Sequence, residues 1–325
     1  MQLRILAAAL AANLATISGA LALDPGLPPY VTVPAIAGQF KSVGSDTLNN
    51  EVTLWAKEFR DRYPAVKIDI EGQGSATAPP ALLEGASQFA PMSRLMSSEE
   101  TQAFEAKYGY KPTGLRVAVD ALAIYVNKDN PIRCLTLPQL NRIFSSTRKV
   151  TGGDNIKTWG DLGLTGEWAA KPIALYGRNS ISGTYEFFRE MVLYDGDYKP
   201  EVKPQPGSEA VVQNVAKEKF AIGYSGLGYR TDGVRAVPLG PYSGAQCYDT
   251  SAESTFSGQY PIARYLYIYV NKKPDQSLDP LRAEFIKYIL SKDGQTQTEK
   301  GGYYAITKAI RDEELTKVGI ANLAH

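Results

Sequence analysis

Phe40-Lys41-Ser42-Val43-Gly44-Ser45-Asp46-Thr47-Leu48 alternates apolar and polar residues, reaches a glycine, and runs directly into Leu48, Val52, Trp55 and Phe59 at helical spacing. It reads as a short strand that turns without a linker into an amphipathic helix, which Pro64 closes. The same device recurs downstream. Val66 to Ile70 alternates as a strand, Pro79-Pro80-Ala81-Leu82-Leu83 opens a helix with proline in its first turn, and Ser97-Ser98-Glu99-Glu100 caps a helix running to Lys107. This alternation predicts an α/β protein with a mostly parallel sheet covered by helices on both faces.

The middle of the chain keeps the rhythm. Leu137 to Phe144 reads as a helix after Thr136, and Thr151-Gly152-Gly153-Asp154 as a loop. Ile173 to Tyr176 reads as a strand, Tyr185 to Leu193 and Val211 to Ala216 as helices, and Ala221 to Tyr224 as a strand. Lys199 to Ser208, with its three prolines, reads as a loop. Ile124-Tyr125-Val126-Asn127-Lys128 returns as Ile268-Tyr269-Val270-Asn271-Lys272. Two similar strands flanking a middle block predict two crossings between two lobes. Residues 23–126 and 260–325 would form one lobe and residues 127–259 the other, a division that the 325-residue length allows.

The first 22 residues read as a signal peptide: Arg4, an Ala- and Leu-rich run from Ile5 to Ile17, then Ala20-Leu21-Ala22 as the cleavage signal. No later apolar run approaches the ~18 residues that span a bilayer. No cysteine near the cleavage point could carry a lipid. The expected product is therefore a soluble periplasmic or secreted protein. In that compartment Cys134 and Cys247 are expected to form a disulfide.

The charge is nearly balanced, 35 Lys+Arg against 34 Asp+Glu, which argues against a nucleic-acid partner. An anion would have to be caught by local geometry. Three turns offer it: Gly44-Ser45-Asp46-Thr47, Gly72-Gln73-Gly74-Ser75-Ala76-Thr77 and Ser180-Ile181-Ser182-Gly183-Thr184. Each leads into a helix, whose N-terminus presents unpaired N–H groups and the positive end of a dipole. Serine and threonine add hydroxyls, and glycine lets backbone approach an oxyanion. Arg178 stands just before the third turn, and Arg94 follows Ser93; a guanidinium can grip two oxygens of a tetrahedral anion. A Ser–His hydrolase is disfavoured because the single histidine is His325, and no Asp/His cluster suggests a metal site.

Gly44-Ser45-Asp46-Thr47-Leu48, Gly74-Ser75, Met92-Ser93-Arg94, Gly177 to Thr184 and Ile222-Gly223-Tyr224-Ser225 occur in that order. Together they resemble the PstS-type phosphate-binding proteins of bacterial phosphate ABC transporters, over nearly the whole mature chain. The resemblance implies a two-lobed type II periplasmic-binding-protein fold, with mixed sheets flanked by helices and two hinge crossings. It implies capture of inorganic phosphate between the lobes and delivery to an ABC permease, by a monomer with no catalysis, cofactor or metal. Carried over by position, the ligands would be Thr47, Ser75, Arg178, Ser182, Gly183 and Thr184, with Ser45 and Ser93 beside them.

The chain departs from the family pattern in two places. Better-known members carry a Ser-Asp pair where this chain has Ser93-Arg94, and that aspartate accepts a proton from phosphate. Here the carboxylate is expected from Asp46 instead. Ala78-Pro79-Pro80 also follows the second turn, where relatives more often carry glycine. The alternatives are the same fold tuned to sulfate, molybdate or a phosphonate, a secreted phosphatase using Ser182 or Thr184, and an extracellular structural or adhesive protein that keeps the fold without the ligand.

Overall fold

The computed structural model describes residues 23–149 and 153–320. The expected signal peptide, part of the Thr151–Asp154 loop and His325 lie outside the described residues.

Strands β1 (Gly38–Val43) and β2 (Val66–Glu71) pair in parallel, with α1 (Asn49–Arg62) joining them. Helix α1 buries Val52, Trp55 and Phe59, the stripe its spacing predicts, and the Trp55 indole donates to the Gly294 carbonyl at 2.8 Å. Helix α2 (Ala78–Leu83) carries proline in its first turn, where no N–H is needed. After β3 (Ala90–Met92), α3 (Ser98–Tyr108) starts at a capping box made by Ser97 and Glu100. Strands β4 (Thr113–Ala121) and β5 (Ala123–Asn127) are separated by Leu122 alone, yet they join different sheets.

The middle of the chain supplies β6 (Leu135–Thr136), α4 (Leu137–Phe144), β7 (Ala174–Arg178) and α5 (Gly183–Leu193). Next come β8 (Lys203–Gln205), α6 (Ser208–Lys217), β9 (Ala221–Ser225) and β10 (Val234–Ala236). Strand β11 (Leu239–Gly240) and α7 (Ala252–Phe256) precede β12 (Ala263–Val270). Helices α8 (Pro280–Ile289), α9 (Lys292–Lys300) and α10 (Lys308–Lys317) complete the described chain.

One sheet has the order β3-β12-β4 and a second β10-β5-β9-β7-β8, while β1-β2 and β11-β6 form two-stranded parallel sheets. The first is antiparallel throughout. The second is mixed, with β7 parallel to β8 and β9, and β5 antiparallel to β9 and β10. The expectation of mostly parallel pairing is therefore corrected. Strand–helix alternation reports local crossovers, but β12 arrives from far along the chain and inserts against β4 the opposite way. The proline-rich Lys199–Ser208 segment also differs from its reading as a loop. It contains β8, an edge strand, where Pro204 loses no ladder bond that a central strand would need. The two similar pentapeptides lie in different sheets, one through β5 and the other through β12.

The cores divide in the same way. Phe40, Trp55, Phe59, Leu115, Leu266 and Phe285 belong to one, and Ile124, Phe144, Trp159, Phe188 and Tyr224 to another. Fully burying each large apolar side chain contributes about 1.5–3 kcal/mol, so each lobe holds a core of its own. The Phe188 and Tyr224 rings stack with centroids 4.0 Å apart, and the Tyr224 hydroxyl meets the backbone N–H of Arg178 at 3.2 Å. Core packing thus positions the end of β7. Cys134 and Cys247, 113 residues apart, form a disulfide. Among the described residues no helix is long and apolar enough to cross a membrane.

Candidate anion site

The three turns meet, the first bonding the second where the Gly74 N–H donates to the Gly44 carbonyl at 2.8 Å. In the first, between β1 and α1, a Cβ on Gly44 would stand 2.2 Å from the Pro91 carbonyl oxygen, so only glycine fits. The Ser45 N–H donates to that same carbonyl at 2.8 Å. Helix α1 has Leu48 at its N-cap and no side-chain cap, and the Asn49 N–H turns back to the Asp46 carbonyl at 3.0 Å. Asp46 does not act as the cap. The Tyr303 hydroxyl holds the Thr47 carbonyl at 2.8 Å, and the Tyr229 hydroxyl holds that of Asp46 at 2.7 Å.

The second and third turns touch backbone to backbone. The Ala76 N–H donates to the Ile181 carbonyl at 3.1 Å, and a Cβ on Gly74 would lie 2.5 Å from that oxygen. A Cβ on Gly183 would lie 2.4 Å from Ser75 Oγ and 2.8 Å from Ser93 Oγ. Ser75 Oγ accepts from the Ser93 N–H at 3.0 Å and stands 3.2 Å from Ser93 Oγ. Ser182 caps α5 by accepting from the Thr184 N–H at 3.1 Å. Thr184 Oγ1 then lies 2.9 Å from Thr47 Oγ1, both buried. Thr47, Ser75, Ser93, Ser182, Gly183 and Thr184 thus form one cluster drawn from both sides of the cleft.

Arg178, at the end of β7, is 1% exposed. Its Nη1 lies 2.9 Å from Asp46 Oδ2 and 2.6 Å from Ser208 Oγ, and its Nη2 donates to the Pro206 carbonyl at 3.1 Å. Among the described residues its buried Nε finds no hydrogen-bond partner, and neither does the Ser45 hydroxyl. Burial pulls the guanidinium's pKa below its usual value, and the Asp46 charge opposes that pull. Asp46 Oδ2 also accepts the Ser208 N–H, 2.8 Å away at the start of α6. A carboxylate, a guanidinium and two helix N-termini therefore converge on one spot.

Arg94 is placed differently. Its guanidinium makes a two-pronged pair with Glu100, with both bonds at 2.8 Å, and also pairs with Glu186 on α5. Two carboxylates, one on α3 and one on α5, thus engage the guanidinium that was expected to grip the anion. The sequence reading missed a second buried arginine. Arg264 on β12 lies 2.9 Å from Asp120 Oδ2 on β4, and its Nη2 donates to Thr184 Oγ1 at 2.8 Å. Opposite charges in two otherwise apolar strands, Val117–Ala123 and Arg264–Leu266, were the available signal.

A PBP superfamily domain model matches residues 31–293. Over 323 residues the chain is 50% identical to the phosphate-binding protein PstS of Pseudomonas aeruginosa, covering 98% of this chain and 100% of that one. The chain belongs to the PstS family. A PstS from Staphylococcus epidermidis is 30% identical over 288 residues, covering 86% of this chain and 82% of the relative. Among solved structures, a possible phosphate binding protein from Planctomyces limnophilus is 26% identical with a TM-score of 0.63, covering 88% and 99% of the two chains. An ABC-type phosphate transport receptor from Vibrio cholerae shares the fold at 21% identity and a TM-score of 0.63, covering 82% and 100%. The PstS family thus has the two-lobed fold seen here.

Proposed function

We propose that this chain captures inorganic phosphate between its lobes, closes on it, and delivers it to a membrane ABC permease without chemical turnover. Thr47, Ser75, Arg178, Ser182, Gly183 and Thr184 bind the phosphate oxygens, and Ser45 and Ser93 line the site. Asp46 accepts the proton that phosphate carries and sulfate lacks. The observation that carries this reading is the pairing of the buried Arg178 with the partly buried Asp46 at the meeting point of the turns. Asp46 Oδ2 receives both Arg178 and the Ser208 N–H, which leaves Oδ1 for a protonated ligand oxygen. A fully deprotonated oxyanion would face that carboxylate unpaired.

The lobes divide near residues 122 and 262, because β4 and β12 share one sheet while β5 starts the other. Export through the N-terminal signal delivers a periplasmic monomer. Calorimetry of the mature chain with phosphate and with sulfate tests the reading. Tight phosphate binding with no sulfate heat supports it. Comparable sulfate affinity would reassign the ligand to another oxyanion, and binding of neither would overturn the proposal.

A further inference from the structure

Arg264 and Asp120 are both buried, 7% and 0% exposed, on neighbouring strands of the β3-β12-β4 sheet. Arg264 Nε and Nη2 face Asp120 Oδ2 at 3.1 and 2.9 Å. Its Nη1 donates to the Ser93 carbonyl at 2.8 Å, and its guanidinium lies over the Phe187 ring, 5.0 Å from the centroid. The group is therefore fixed in position and plane. Its remaining bond crosses to the other lobe, where Nη2 donates to Thr184 Oγ1 at 2.8 Å. Asp120 crosses as well, since its Oδ1 accepts the Leu227 N–H at 2.9 Å, just beyond β9.

A guanidinium is an obligate donor, whereas a threonine hydroxyl has one proton to give. Because Arg264 occupies a lone pair of Thr184 Oγ1, the Thr184 proton must point elsewhere. Near it are Thr47 Oγ1, 2.9 Å away, and the anion space beside it. We propose that Arg264, held by Asp120, is a positioning residue. It sets the Thr184 hydroxyl as a donor toward the bound anion and does so only when the lobes are closed. The arginine does not touch the ligand; it acts through Thr184. This inference rests on the phosphate reading above.

A double-mutant cycle of Arg264→Gln and Thr184→Val tests it, with phosphate Kd read by calorimetry and folding checked by circular dichroism. Arg264→Gln alone is expected to weaken phosphate binding about 10- to 100-fold, the range of one hydrogen bond to a charged group. In the Thr184→Val background the same change should cost less than about 3-fold, because the hydroxyl it orients is gone. Equal losses in the two backgrounds would overturn the proposal. If Arg264→Gln does not fold, the cycle is run with Arg264→Lys, which keeps the charge but cannot serve Asp120, Ser93 and Thr184 together. Wild-type protein that binds no phosphate would sink the phosphate reading itself, an outcome distinct from an additive cycle.

Discussion

Asp46 Oδ2 lies 2.9 Å from Arg178 Nη1, joining the turn after β1 to the end of β7 across the cleft. The ion pair is thus a closing contact as well as part of the anion site. Asp46→Asn keeps the shape and removes the charge. Phosphate binding is expected to weaken about 100-fold, within the range for breaking a buried charge pair. Sulfate, no longer repelled by a carboxylate, should gain affinity. Paired phosphate and sulfate titrations of the variant check this, and unchanged selectivity would remove Asp46 from the proton-accepting role.

Gly183→Ala introduces a methyl group where 2.4 Å separates an ideal Cβ from Ser75 Oγ. The two atoms sit on opposite lobes, so ligand-free protein can avoid the clash by opening. The expected result is an unfolding temperature within about 2 °C of wild type without phosphate. Phosphate affinity should fall by at least about 10-fold, as closing over even one displaced contact costs about 1–3 kcal/mol. Differential scanning calorimetry with and without phosphate separates the two effects.

How much of this was legible in the sequence depends on the range of the interaction. The helix starting at Leu137 and the capping box at Ser97 followed from residues three apart, and both stand where they were read. The glycine-serine turns also followed from local chemistry. The β12 insertion and the Arg264–Asp120 pair did not, because they join segments 144 residues apart. Arg94 likewise has a distant partner. Its local context suggested an anion grip and gave no sign of Glu186, a carboxylate that α5 brings to it from 92 residues away.

Arg94→Gln should accordingly change phosphate affinity by less than about 3-fold, since its guanidinium is engaged by Glu100 and Glu186. A loss of 100-fold in a titration would return Arg94 to the binding set.

Glu51, in the first turn of α1, is fully buried, and among the described residues no hydrogen bond of ordinary geometry reaches either carboxylate oxygen. Burial pushes its pKa up to about 8 from 4.5, with the nearby Thr298 hydroxyl opposing and the Asp120 charge adding to the rise. The folded state therefore holds this proton more tightly than the unfolded chain. Its contribution is fully present below pH 4.5 and is lost as pH climbs to about 8. Glu51→Gln is expected to match wild type near pH 4.5 and to exceed it by a few kcal/mol (order of magnitude) at pH 8 to 9. Urea unfolding across that range gives the comparison; a constant gap would contradict it.

Cys134→Ser combined with Cys247→Ser opens a loop closed over 113 residues. The chain-entropy model gives a loss of about 4–5 kcal/mol for a loop of that order. Guanidinium unfolding should report a midpoint lowered accordingly, while phosphate affinity measured well below that midpoint stays unchanged.

The meeting of Gly74, Ala76, Ile181 and Gly183 has a mechanical consequence. Main chain rests on main chain where Gly74 and Ala76 meet Ile181, and the Gly183 backbone rests directly on the Ser75 and Ser93 hydroxyls. The closed gap is therefore a gauge, set by peptide geometry for as long as Gly74 and Gly183 remain glycine. Substitutions elsewhere can tilt the lobes or slow their motion, but the jaws still stop at the same width. An ion larger than that width holds them ajar, so the protein reports size by failing to shut.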